Sequence, residues 1–249
     1  MKSSSSRPRD RRPASARRTS SRRARRSARA ARPCTGGGER GLPRRARADY
    51  NARVPSPGER LTALVRAEPP DRTAIAAFLD GLPHGERVAA ITALSGPRLQ
   101  SRLYAAVAGA PPVTLADLVP PDAPPLREVI FHGKNSLPAF TLFQKRFCRP
   151  PRGSDELWGY NHQALAWLTG PGYFVVHDDA RGAAVDYREV PPERPPGWPE
   201  VKPNDRGFSR FVFRDMVDYM RRVSRDVFIG SAHRGGKETG NYFVLCRDR

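Results

Sequence analysis

No run of eighteen apolar residues occurs anywhere in the 249-residue chain, so no membrane-spanning helix is expected. The basic N-terminus is not followed by the apolar segment that a secretory signal requires, and export is not expected either. Cysteine is scarce. Cys34, Cys148 and Cys246 are far apart, odd in number and without a C-x-x-C pair, which argues against a zinc knuckle and against a disulfide framework. A reducing compartment, the cytoplasm, is the expectation. A G-x-S-x-G elbow is missing too, which disfavours a hydrolase of that architecture.

Lysine is also rare, with five against 39 arginines, and acidic residues are nearly absent from the first fifth of the chain. Residues 1–50 hold 17 basic and three acidic side chains, so +14 of the net +19 sits there and the remainder is only mildly basic. With almost no apolar residue larger than alanine, this segment cannot bury enough surface to offset chain entropy. Residues 1–58 are therefore read as a disordered, solvated Arg/Ser/Ala-rich arm. Such a composition also occurs in organellar transit peptides, but no large apolar residues are present to give an amphipathic helix its apolar face. If the arm acts, its arginines would pair with phosphates of nucleic acid or anionic lipid, and a weak, salt-sensitive nucleic-acid contact is the partner expected.

From residue 59 to 119 the apolar pattern is helical. Asp71 is placed to cap a helix carrying Ile75, Phe78, Leu79 and Leu82. A second helix follows the Pro83-His84-Gly85 break with Val88, Ile91 and Leu94. A third, after Ser95-Gly96-Pro97, carries Leu99, Leu103 and Val107. These make a small helical bundle; a helix-turn-helix DNA reader, resting on Arg98 and Arg102, is the weaker alternative. A proline-rich connector leads into residues 120–249, which hold ten of the eleven Phe and all three Trp.

In that half, Glu128–His132 alternates as a strand does. Phe140, Phe143 and Phe147 fall on helical spacing between Asn135 and Cys148. Tyr173–His177 and Ala183–Tyr187 flank a hairpin turn ending in Gly182, and a proline-rich loop surrounds Trp198. Ser209 is placed to cap a helix burying Val212, Met216, Tyr219, Met220 and Val223. Val227–His233 and Tyr242–Cys246 form a second hairpin. The fold class expected is α+β: a disordered basic N-terminal arm, a small helical bundle, then an antiparallel sheet with helices packed on one face.

The stretch from Gly230 to Thr239 approaches a phosphate-binding loop, but an extra glycine and Glu238 break the required Gly-Lys-Ser/Thr order and a strand follows, so it reads as a hairpin loop. His132, His162, His177 and His233 show no i, i+2 or i, i+4 pairing, and no metal is expected. Cys148 lies among Lys145, Arg146 and Arg149, which would favour a thiolate, yet a free cysteine in an aromatic segment reads as core.

Two polar segments remain: Phe131-His132-Gly133-Lys134-Asn135-Ser136 at a strand end, and Gly159-Tyr160-Asn161-His162-Gln163. Hydrogen-bonding side chains against aromatic walls are what a small-molecule pocket needs. The expected ligand-binding residues are His132, Lys134, Asn135, Arg146, Tyr160 and Asn161. The function expected is a non-catalytic binding module for a polar or anionic small ligand, or for a protein partner, with no cofactor and no catalytic residue assigned. The alternative is an enzyme with His132 or His162 as general base, oriented by Asp178, Asp179 or Asp186.

Overall fold

The first helix begins where sequence chemistry can start one. In the computed structural model, which describes residues 53–249 apart from 139–140, 152–154 and 165, Ser56 precedes α1 (Pro57–Arg66) and forms a capping box with Glu59. Pro57, which has no N–H to leave unpaired, occupies the first helical position. Of the arm read as disordered over residues 1–58, positions 1–52 lie outside the described residues, while Pro57 and Gly58 are ordered in the first turn of α1. Asp71 accepts from the amides of Thr73 and Ala74 to start α2 (Arg72–Asp80), as expected from the sequence. Next come α3 (His84–Thr92), α4 (Pro97–Ala106) and the single turn α5 (Leu115–Leu118).

The stripes on these helices, among them Leu61, Val65, Ile75, Leu79, Ile91, Leu94 and Leu103, share one apolar cluster with Val227, Ile229, Val244 and Cys246 of the sheet. Arg87 fastens this layer. Its guanidinium donates to the carbonyls of Leu79 and Leu82 at 2.9 and 2.8 Å and to buried Asp226, in the turn between two strands, at 2.9 Å. No helix among the described residues is long and apolar enough to cross a membrane.

The sheet corrects the expected fold class. Eight strands, β1 (Val129–Asn135), β2 (Leu142–Cys148), β3 (Glu156–His162), β4 (Tyr173–Asp179), β5 (Gly182–Asp186), β6 (Met216–Arg222), β7 (Val227–Arg234) and β8 (Lys237–Arg247), each pair antiparallel with the next. The last returns to the first, with Phe131 opposite Arg247 and Asn135 opposite Phe243. An α+β sheet with helices on one face is thus replaced by a closed barrel with helices outside it, which leaves no unpaired edge.

Two expected helices are strands. Phe143 and Phe147 lie on β2, and the helix begun at Ser209 stops as α7 (Ser209–Val212) before Met216 and Met220 enter β6. Phe140 lies outside the described residues. Both hairpins do form: β4 and β5 meet across Asp179 and Gly182, and Gly235 and Gly236, both at positive φ, turn β7 into β8. The short helix α6 (Ala166–Thr169) lies between β3 and β4, and the proline-rich stretch brings Trp198 onto the outer face beside Tyr160 and Tyr173.

Strand alternation sends Phe131, Phe147, Leu157, Phe174, Val176, Val185, Phe228 and Leu245 into one core, with Val113, Leu118 and Val119 from the α5 segment packed against them. Fitting so many rings into an eight-stranded ring needs space on the neighbouring strands. Glycines supply it: Gly133 faces Phe143, Gly159 faces Phe174 and Gly230 faces Phe243 across paired strands. A methyl carbon on Gly230 would stand 2.1 Å from Phe243 Cζ, and one on Gly159 2.3 Å from Phe174 Cε2. Gly159→Ala and Gly230→Ala should each cost about 1–3 kcal/mol through overpacking. That corresponds to a Tm lower by roughly 2–10 °C in thermal unfolding followed by circular dichroism. An unchanged Tm in both would show that the rings do not need the space the glycines leave.

Candidate functional site

On β2 the inward row reads Phe143, Lys145, Phe147, so a lysine stands where an apolar residue would be routine. Its side chain is 1% exposed. A buried ammonium is tolerable only if its hydrogen-bonding capacity is met. Lys145 Nζ donates to Asp218 Oδ2 at 3.1 Å, to Asn161 Oδ1 at 3.3 Å and to the Tyr187 hydroxyl in a short contact. The rings of Phe174, Tyr187 and Phe243 surround it, with centroids at 4.8, 4.9 and 4.8 Å. Their negative faces add attraction that water would otherwise provide.

The partners arrive from separate strands by the same alternation. Asn161 ends the inward row of β3, Asp218 sits between Met216 and Met220 on β6, and Tyr187 follows β5. The Tyr187 oxygen receives Asn161 Nδ2 at 3.0 Å and lies 3.2 Å from Asp218 Oδ2, to which its hydroxyl donates. Asn204 bridges the carbonyls of Tyr173 and Tyr187 at 2.7 and 2.8 Å, which fixes the chain on either side of the ring.

Burial dominates the electrostatics. It pulls the Lys145 ammonium below its ordinary range and lifts the Asp218 carboxyl above its own, while their mutual attraction and hydrogen bond oppose both shifts. Tyr187 is pushed well above the usual phenol range by burial and by the neighbouring Asp218 charge, so it remains a hydroxyl donor.

Beside this network the barrel is not filled. A cavity of about 540 Å³ opens there, walled by Phe143, Phe213, Met216 and Phe243 and reached by Asn135 and Asn241. Phe213 stacks on Tyr187 with centroids 5.2 Å apart and planes at 18°. The mouth is apolar. Leu137, Phe211 and Val212 line it and are 38%, 62% and 40% exposed. Arg234 holds that rim, donating to the carbonyls of Phe211 and Val212 at 3.1 Å each.

Of the six residues singled out in the sequence, Asn135 and Asn161 line this cavity together. The other four lie elsewhere: His132 and Lys134 take the alternate positions of β1, between inward Phe131, Gly133 and Asn135. Arg146 points out from β2 to Glu128 at 3.2 Å and Gln144 at 2.7 Å. Tyr160 packs on Trp198, 4.8 Å between centroids, in the outer aromatic cluster. His162 is exposed on β3, Asp179 is held by Arg181 and Asp186 by Arg188. Cys148 is fully buried, and burial, with a smaller contribution from Glu128, pushes its thiol up to about 12, so it holds no thiolate at neutral pH.

Lys145, Tyr187 and Asp218 were missed as site residues. For Lys145 and Asp218 the signal was a polar residue at the midpoint of an apolar i, i+4 pair, Phe143–Lys145–Phe147 and Met216–Asp218–Met220, whereas Tyr187, between Val185 and Glu189, carries no such signal. No family model matches the chain, and no curated protein or solved structure is significantly similar to it.

Removing one member of a buried ion pair leaves the other without compensation, whereas replacing both with apolar residues does not. Asp218→Ala should therefore cost about 3–5 kcal/mol in urea unfolding, while the Lys145→Met, Asp218→Leu double variant should lie within about 2 kcal/mol of the parent. A single variant no less stable than the double would show that the two charges are not coupled.

Proposed function

We propose that this protein binds one small molecule inside its barrel, with an apolar body between the phenylalanine walls and an uncharged hydroxyl- or carbonyl-bearing head at the Lys145–Asp218–Tyr187–Asn161 network. The observation that carries this reading is the 540 Å³ cavity ending on a buried, mutually neutralised ion pair. Cavities of this size are typical of small-ligand sites, and an eight-stranded barrel is wide enough for one such ligand.

A neutral head is favoured over an anionic one because Asp218 already offsets the ammonium. A third buried charge would carry its own desolvation cost. Phe143, Phe213 and Phe243 supply apolar area, while Asn135 and Asn241 line the cavity with amide side chains, a group that both donates and accepts, which suits a head that carries both functions. The exposed Leu137, Phe211 and Val212 give an apolar ligand a path to the interior.

A ligand of about 20 heavy atoms at about 0.3 kcal/mol per atom would reach a Kd in the tens of micromolar or tighter. The test uses a neutral, environment-sensitive fluorophore such as Nile red titrated into the full chain, together with native mass spectrometry of the purified protein for a retained metabolite. Ala232 faces the cavity from β7 and lies outside the polar network. Ala232→Trp should fill the space and weaken probe binding at least about tenfold, as displacement from a filled pocket demands. An Ala232→Trp protein that unfolds like the parent and still binds the probe equally well would place binding outside the barrel and defeat the proposal.

A further inference from the structure

Away from the cavity, three side chains from three separate parts of the chain converge where the barrel closes. His84 is the first residue of α3, His132 takes an alternate, non-cavity position on β1, and Asp248 follows β8. Asp248 Oδ1 lies 3.0 Å from His84 Nε2 and 3.5 Å from His132 Nε2. The three donor atoms all lie within 4.8 Å of one another. Their backbone is anchored: Asp248 N–H donates to Ile130 O at 2.8 Å, which continues the β1–β8 ladder one step beyond the strand. Ile130 stands two residues before His132, so the same ladder brings the carboxylate and the imidazole to one side of β1.

We infer that His84, His132 and Asp248 form a binding site for a divalent transition-metal ion, with Zn²⁺ the best match. The donor set is two imidazole nitrogens and one carboxylate oxygen, which zinc accepts readily. In a tetrahedral site with bonds of about 2.0–2.2 Å, donors stand about 3.4 Å apart, and the two His–Asp separations are 3.0 and 3.5 Å. Three protein ligands leave one position open. The side chains are 30%, 31% and 43% exposed, so solvent or a small exogenous ligand can fill it.

An ion here would join α3, β1 and the residues after β8, and so tie the helical layer to the seam of the barrel. Metal bound only by the folded arrangement adds to stability. Two imidazole N–H groups donating to one carboxylate would give the same contacts without any ion. The experiment must separate these two arrangements.

The full chain, stripped with a chelator, is titrated with Zn²⁺ by calorimetry and with Co²⁺ by visible absorption. The expected result is one Zn²⁺ per chain and the intense d–d bands of a four-coordinate Co²⁺. A zinc concentration a hundredfold above Kd should raise Tm by roughly 5–10 °C. His84→Ala, His132→Ala and Asp248→Asn should each weaken zinc binding at least about thirtyfold, with the Tm of the metal-free protein nearly unchanged because all three sites are partly exposed. Cys34→Ser, His162→Ala and His177→Ala should leave affinity as it was. The inference is overturned if the parent binds less than one Zn²⁺ at 100 µM, or if the three site variants bind it as the parent does.

Discussion

Closure governs this molecule. Once β8 pairs with β1, the ring of eight strands has a fixed circumference, and every inward side chain competes for one limited interior. Three glycines resolve the competition by letting Phe143, Phe174 and Phe243 lie flat across neighbouring strands. One end is then filled by the Phe131, Phe147 and Phe228 group against Val113, Leu118 and Val119. The other end is left with Lys145, its three hydrogen-bonding partners and unfilled space. The same closure places His132 beside Asp248, since both depend on the β1–β8 register.

The polar network is hard to explain as a stabilising device. Desolvating an ammonium and a carboxylate costs several kcal/mol each, and their attraction roughly offsets that cost only when geometry and extra hydrogen bonds are good. Three rings and two neutral partners around Lys145 meet that condition, so the pair persists without contributing much to folding. Apolar residues of similar volume in place of such a pair often fold as stably. Its place at the cavity floor is where the proposed ligand would present its polar head.

Much of the periphery was legible in the sequence. Asp71 as a cap, the helices begun near Pro83 and Pro97, and both hairpins follow from local chemistry that no distant contact overrides. The barrel was not, and the cause lies at particular residues. Phe143 and Phe147, or Met216 and Met220, satisfy i, i+4 on a helix and also i, i+4 along one face of a strand; only the residue between them decides, and here it is Lys145 or Asp218. The polar residues that build the site therefore broke the alternation that would have announced the strands. For the same reason Asn135 and Asn161 were grouped with Lys134 and Tyr160, since without the strand phase the inward and outward residues of one segment cannot be separated. The pairing of Lys145 with Asp218, 73 residues apart, has no local trace.

The helical layer has a consequence for biosynthesis. The apolar stripes of α1 to α4 leave the ribosome early, yet Val227, Ile229, Val244 and Cys246, against which they are buried, are translated more than a hundred residues later. Arg87 likewise waits 139 positions for Asp226. Nascent helices with greasy, unpartnered sides stay uncovered through the synthesis of the intervening strands, so this topology combines sequence-distant contacts with prolonged exposure of apolar surface during translation.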